Sequence, residues 1–444
     1  MTICRQSLGT IAVLVVLSGC MKDMGAGVVS RFAGPSAATE QPLPPAADGT
    51  VTRAVRLDPS EAAPIIHALS LRATAVQAGT PYAQVADAVI ASGSRVAEAE
   101  LHVARLRADA AKYNWLPSIG PSISLDSLGN FVADLLINQV LFDNGRKQAE
   151  RDLARAHVEL AAVKMVEDGN RRVNDALTLY LAAEENRSLS AHLDLALKDM
   201  TQFEWIMNER VKGGVSDNSD LNILRQKLAS IRARQNEAQE TARTAMAELD
   251  AMSDIALTDL RGLGGLDDVT GGQALGVMRA TVEREIAIAE AKIARASHLP
   301  SLVANGSIGQ SGSLGGLQVG TDSLFSLGTV SDLNAIEASK ESATRRVDEA
   351  REAADRAIRS QSSKYAAYTR QAQEAELLTR QAKHNLDLFQ RQYEGGQRQV
   401  MDVVGVYETY AAALETAIDL KYKAARAELE LARLRGALAE GARI

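Results

Sequence analysis

The chain has 444 residues, of which 46% are hydrophobic, 24% charged and 4% aromatic, a length that builds two or three ordinary domains or one long repeated architecture. The 49 basic and 56 acidic residues leave a formal net charge of −7, so there is no electrostatic ground for nucleic-acid binding. With few large rings, packing falls to alanine and leucine, which favours close-packed helices; the two cysteines, Cys4 and Cys20, both lie in the first twenty residues and exclude a disulfide scaffold or a cysteine-ligated metal site.

The chain opens with an address. Arg5 is the only charge before Cys20, and Leu8–Leu17 is an apolar run broken only by Gly9 and Thr10. A positive start, a short apolar stretch and small residues at its end predict a signal peptide over 1–19; a spanning helix needs about 20 apolar residues. Leu17-Ser18-Gly19-Cys20 resembles the lipobox of bacterial lipoproteins. That resemblance implies cleavage before Cys20 and acylation of its thiol and new amino group; an ordinary signal peptide with a chance cysteine stays open as the alternative. Residues 20–56, with Pro35, Pro42, Pro44 and Pro45 among many Ala and Gly, read as a lipid anchor and flexible linker.

Proline placement outlines the rest. None of the ten prolines lies between Pro121 and Pro300 or beyond Pro300, as long helices require. The spacing predicts helices over 57–79, 81–113, 145–211, 218–254, 274–297, 328–394 and 399–438. Leu221, Leu224, Leu228, Ile231, Gln235, Ala238, Ala242, Ala245, Leu249 and Met252 step by threes and fours, as do Leu189, Leu193, Ala196, Met200, Phe203 and Met207. Tyr407, Tyr410, Leu414, Ala417, Lys421 and Ala424 do the same near the C-terminus. Such a repeat sets one seam against a partner helix in a coiled coil.

The chain also repeats itself. Trp115-Leu116-Pro117-Ser118 returns as His298-Leu299-Pro300-Ser301, and Leu141-Phe142-Asp143-Asn144-Gly145 as Leu324-Phe325-Ser326-Leu327-Gly328, both shifted by 183; Gly213-Gly214 returns as Gly395-Gly396, shifted by 182. A common offset points to an internal duplication, with a first repeat at 57–254, a connecting belt at 255–273 and a second repeat at 274–444. Between the first two landmarks of each half the period becomes two. Ile119, Pro121, Ile123 and Leu125 alternate with Gly120, Ser122, Ser124 and Asp126; Phe131, Ala133, Leu135 and Ile137 alternate with Val132, Asp134, Leu136 and Asn138. A weaker alternation runs through 301–310, and another through 315–327 with Leu317, Val319, Phe325 and Leu327 on one face. Each half is thus predicted to hold a hairpin, within about 116–142 and 301–327, of strands near the length that crosses an outer membrane. Four strands cannot close a barrel and an open edge is not viable in lipid, so several protomers would have to pool strands; two soluble hairpins capping a helical bundle remain the other reading of the pattern.

With these landmarks in place the layout over about 57–440 resembles the TolC family of outer-membrane efflux channels. Tyr393-Glu394-Gly395-Gly396-Gln397-Arg398 followed by Asp402-Val403-Val404 is similar to that family's second helical turn, and Gly214 six residues before Asp220 is similar to the first. The resemblance implies a mainly helical fold with membrane strands, a homotrimer whose four strands per protomer form one twelve-stranded β-barrel, and long coiled-coil helices continuing it as a periplasmic tunnel. It implies a gate at the tip, with Tyr393 facing Asp220 and Arg398 facing Ser219. Asp402 matches the first aspartate of an acidic constriction, while the second falls on Gly405, leaving one carboxylate ring in place of two. It implies an outer-membrane channel in a tripartite export system of a Gram-negative bacterium, working with a periplasmic adaptor and an inner-membrane ABC or RND transporter. The Gly396-x-Arg398-x-x-x-Asp402 turn leans toward type I secretion or multipurpose export and does not identify the cargo.

From the residues alone, Gly213, Gly214, Gly395 and Gly396 permit tight turns. Asp220 and Asp402 suit helix capping as well as gating, and Tyr393 shares a face with Leu386 and Phe389 and suits a core position as well as a lock. No catalytic site or cofactor is expected. His67, His102, His157, His192, His298 and His384 form no metal-binding pair and read as solvated or packing residues, as do Glu98 and Glu100 beside His102 on a charged face. Gly262-Leu263-Gly264-Gly265 lacks a following lysine and reads as a flexible connection in the belt. The alternative function is a lipid-anchored periplasmic coiled-coil adaptor or scaffold, although an adaptor usually has one helical hairpin between β-rich halves.

Overall fold

A computed structural model describes residues 64–93, 95–125, 131–267, 272–309, 312–321 and 327–440. The chain divides into units 1–53 and 54–444, and all the described residues belong to the second. The signal peptide, Cys20 and the linker lie outside them.

Two helices dominate: α4 (Arg146–Lys212, 67 residues) and α7 (Thr329–Glu394, 66 residues), each about 100 Å long at ~1.5 Å per residue. α4 folds back into α5 (Asn218–Ala251), and α7 into α8 (Val400–Arg435). The first seam is where the heptad spacing puts it. Leu221, Leu224, Leu228, Ala238, Ala242, Ala245 and Leu249 of α5 are buried, with Leu193, Ala196, Met200, Phe203 and Met207 of α4. On α8 the predicted seam drifts. Lys421 is exposed and Tyr422 is buried in its place, donating to or accepting from Ser188 at 2.9 Å; a straight helix of 3.6 residues per turn slips from a 3.5 repeat, and an ammonium group keeps to water.

Three apolar clusters follow the length of the bundle. One near the turns joins Met200, Phe203, Leu224, Leu386, Val403 and Tyr407. A middle one joins Val89, Leu177, Tyr180, Leu249, Tyr422 and Leu438. A third joins Leu69, Leu101, Val163, Leu275 and Val282. The last two draw in the short helices α1 (Pro64–Ser70), α2 (Pro81–Ala91) and α3 (Arg95–Lys112) and the helix α6 (Leu275–Ser297).

The long N-terminal helices predicted at 57–79 and 81–113 are both interrupted. Residues 71–80 leave α1 as an extended segment, in which Val76 bridges Leu266 and Ala75 accepts from Asp267 N at 2.7 Å; Gly79 at φ 78° and the Thr80 cap before Pro81 then start α2. The second helix breaks at Ser92–Gly93, where a Cβ on Gly93 would overlap the Arg172 guanidinium, which donates to Val89 O and Met252 O at 3.0 and 2.8 Å. The stretch 262–265 is pinned where a flexible connection was expected. Gly262 donates to buried Glu184 at 2.7 Å and accepts from the Tyr180 hydroxyl at 2.8 Å, and Gly264 leaves the room that the Tyr82 ring fills.

The strands form one antiparallel sheet, β1-β2-β3-β4, from β1 (Ser118–Leu125), β2 (Phe131–Phe142), β3 (Ser301–Gly309) and β4 (Gly312–Gly320). The predicted alternation over 315–327 is corrected here. β4 begins at Gly312 and ends at Gly320, because its hairpin with β3 aligns Gly309 with Gly312 and Ser301 with Gly320. Leu327 lies in a turn, and Phe325 lies outside the described residues.

Candidate functional site

Register sorts the sheet into two faces, since residues directly paired across antiparallel strands share a face. Ile119 pairs with Ile137, Pro121 with Leu135 and Ile123 with Ala133; Leu135 pairs with Ile308, and Ala304 and Leu302 pair with Leu317 and Val319. That face is mostly apolar, with Gln139 and Ser313 as its polar members. The other carries Ser118, Ser122, Asp134, Asn138, Asn305, Ser307 and Gln318, with Leu136, Val140, Val303 and Leu314 among them; Asn305 Nδ2 donates to Gln318 Oε1 across it at 2.8 Å. Neither face is covered by the described residues. Ile123, Leu314, Leu317 and Val319 are each 70% or more exposed. β1 and β4 each present an edge with no strand partner among the described residues. Water cannot favour such a sheet by itself, since it buries too little apolar surface on either side.

The junction from sheet to helix is built locally. Asn144 and Gly145 both take left-handed φ (53° and 83°), and the Asp143 carboxylate accepts from Gly145 N and Lys147 N at 3.1 and 2.6 Å, capping α4. Asn144 Nδ2 donates to Pro300 O at 2.8 Å, joining the two halves at this level. A bulge at Leu141, between Val140 and Phe142, bends β2 here. Tyr113, Trp115 and Phe142, which flank this junction in the chain, are exposed.

At the far ends of α4 and α7 the two turns are built alike. Gly213 N bonds Glu209 O, Gly214 N bonds Val211 O and Val215 N bonds Arg210 O; Gly395, Gly396 and Gln397 bond Arg391, Tyr393 and Gln392 in the same pattern. Gly214 and Gly396 both have φ 72°, the left-handed position that closes such a helix end. α5 is capped by Asp217, a residue sequence reasoning did not single out, although an aspartate just past a glycine turn is a start signal. Its carboxylate accepts from Ser219 N at 3.3 Å and Ser219 Oγ at 3.0 Å, and these hydrogen bonds hold it below the usual carboxylate range. Ser219 is therefore engaged within its own turn. Asp220 is half-buried in the first turn of α5. Arg398 donates through Nε to Gln392 Oε1 at 3.1 Å and lies over the Phe389 ring at 4.6 Å. Tyr393 is half-buried against the apolar cluster of the turns, and Asp402 completes a capping box by accepting from Gln399 N at 3.1 Å. Within one protomer the expected gate residues thus gather at one end, Ser219, Arg398 and Asp402 each with a hydrogen-bond partner in its own turn.

Along the helices, Glu98, Glu100 and His102 are exposed on α3. His192 is buried, its ring edge-on to Tyr410 with centroids 6.4 Å apart; burial lowers its pKa, against a smaller upward pull from Glu415. Glu159 is pushed up to about 7 by burial and then by Glu285 across from it on α6. Among the described residues no helix is long and apolar enough to cross a membrane, and no group of three His, Cys, Asp or Glu side chains is placed to hold a metal ion.

No protein-family model and no curated protein matches the sequence. Solved structures do match. VceC, an outer membrane protein of Vibrio cholerae, is 16% identical with a TM-score of 0.67, over 81% of this chain and 96% of that one. The outer-membrane channel OprN is 14% identical with a TM-score of 0.71, over 83% and 93%. The open state of the MtrE outer membrane channel of Neisseria gonorrhoeae is 15% identical with a TM-score of 0.65, over 83% and 95%. The fold is that of an outer-membrane channel. More particularly, it is the fold of the TolC-family channels.

Proposed function

We propose that the chain is the outer-membrane channel of a tripartite export system and a lipoprotein member of the TolC family. The observation that carries this reading is the sheet: four strands of 8 to 12 residues with unpaired edges, one apolar and one polar face, and no core on either side. Three copies joined edge to edge make a twelve-stranded barrel with the apolar face in lipid and the polar face around water, which removes every edge. Helix α7 supports association between protomers. It buries 5 of its 66 residues within the protomer, against 20 of 67 for α4, and leaves Leu377, Leu378 and Leu388 exposed for neighbouring coils.

In this reading the two halves are a duplication, and the helices continue the barrel through the periplasm. The turns form a resting gate in which Tyr393 meets Asp220 and Arg398 meets Ser219 across coils, while Asp402 forms a single acidic ring. Energy comes from an inner-membrane ABC or RND transporter through a periplasmic adaptor, so the chain itself is no enzyme and needs no cofactor. Cys20 anchors the protein to the outer membrane of a Gram-negative cell; a fatty-acid probe should label the native chain and spare Cys20→Ala. The function is tested by migration of outer-membrane fractions in mild detergent. A trimer that runs compact unheated and converts to monomer on boiling is expected, and a membrane-anchored monomer with no heat-modifiable form would leave the lipid-anchored adaptor or scaffold reading in its place.

A further inference from the structure

The four strands contain one ionisable side chain, Asp134 of β2. We infer that Asp134 sets the charge preference of the outer-membrane passage, admitting cationic and neutral solutes more readily than anionic ones; the inference rests on the channel reading above. Its placement follows from register. Asp134 is paired directly with Ser122 of β1 and Gly309 of β3, on the polar face with Asn138, Asn305, Ser307 and Gln318. The neighbours of Asp134 in sequence, Ala133 and Leu135, pair with Ile123 and with Pro121 and Ile308 on the apolar face. The carboxylate lies over Gly309, where any Cβ would collide with it, so the glycine opposite leaves the space that the acid occupies. Asp134 sits three residues in from the end of β2 farthest from the helices, near the mouth of the barrel, well away from Asp402 at the tip.

In a trimer this position repeats three times around a lumen whose other strand residues are uncharged. Low-dielectric walls lined by one sign of charge concentrate the opposite ion. Charges on such a ring reach toward the centre when screening is weak, with a Debye length of about 30 Å at 0.01 M salt and about 10 Å at 0.1 M. The preference for cations should therefore sharpen on dilution.

The test is the reversal potential of purified trimers in planar bilayers under a KCl gradient from about 0.1 to 0.01 M, where that change in screening applies. The native channel should be cation-preferring, and Asp134→Asn should move the reversal potential toward zero. Asp402→Asn, run in parallel, measures the separate contribution of the tip. Adding Ser122→Asp to Asp134→Asn returns a carboxylate to the same face, one strand spacing of about 5 Å away, and should restore the preference; a merely structural role for Asp134 would not be rescued this way. If Asp134→Asn does not assemble, Ser122→Asp in the native chain doubles the ring and must strengthen the preference. An unchanged reversal potential in conducting Asp134→Asn trimers, or in Ser122→Asp trimers, overturns the inference and leaves the channel reading standing. A protein that forms no pore, in its native form and as the Tyr393→Phe, Arg398→Glu double variant alike, overturns both.

Discussion

Arg398 shows what a single side chain can do at the turn. Its guanidinium is held by Gln392 and the Phe389 ring of its own protomer, so closing onto Ser219 of another coil means exchanging one exposed polar partner for another. Each such contact contributes about 0.5–1.5 kcal/mol, and threefold repetition lets weak locks act together. The double variant Tyr393→Phe with Arg398→Glu is expected to raise single-channel conductance of intact trimers; unchanged conductance would reduce these residues to turn chemistry. Glu159 gives a second prediction. Its folded pKa of about 7 is above the ordinary value, so the folded state binds the proton more tightly than the unfolded chain. Its contribution is fully present below the unfolded pKa and is lost as pH rises through about 7. Glu159→Gln should match the native thermal midpoint at pH 4 and exceed it at pH 8; equal midpoints at both would place Glu159 in water. The paired glycines and the carboxylates of the turns were legible in the sequence because glycine spacing and helix periodicity are local. Asp217 was not singled out and Asp143 entered only within the Leu141–Gly145 landmark, not as a cap, because a carboxylate one or two residues from a helix start looks like its neighbours until the backbone geometry selects one.

Among elements, the strands are where pattern and register can be tested against each other. Ile123 and Ser122 are adjacent in β1 and pair with Ala133 and Asp134, on opposite faces. Ile123→Arg sets a charge in lipid at about 2–4 kcal/mol if near mid-bilayer, and trimer yield in outer-membrane fractions should fall. Ser122→Arg sets it in the lumen and should assemble far better. Equal yields would mean that the register or the membrane assignment is wrong. Alternation gave the faces of β1 and β2 directly, whereas β4, rich in Gly312, Gly315, Gly316 and Gly320, gave a window displaced toward its C-terminal side, because glycine carries no signal of face. The long helices were equally legible over α4, α5 and α7. The belt was not. The break at Gly93 accommodates Arg172, which is 79 residues away, and the pinned turn at 262–265 depends on Tyr82, Tyr180 and Glu184; periodicity within one segment holds no record of such partners.

At the scale of the whole molecule the protomer is an unfinished object. Arg72 ties the belt together by donating to Arg435 O at 3.0 Å, Gly436 O at 3.3 Å and Gln273 O, and Asn170 bonds Arg433 O and Leu438 N at 2.9 and 3.0 Å, so the middle of the bundle is complete within one chain. The two ends are not: at one, a sheet that the described residues leave uncovered and open at its edges, and at the other a pair of turns whose proposed partners lie on neighbouring coils. Closure of both by threefold assembly is the central claim. It is tested most directly by adding the purified, detergent-solubilised protein to one side of a planar lipid bilayer and recording current. The account predicts discrete, uniform conductance steps from trimeric fractions and none from monomeric ones. Trimers that leave the bilayer silent, with the double variant at Tyr393 and Arg398 silent as well, would contradict it.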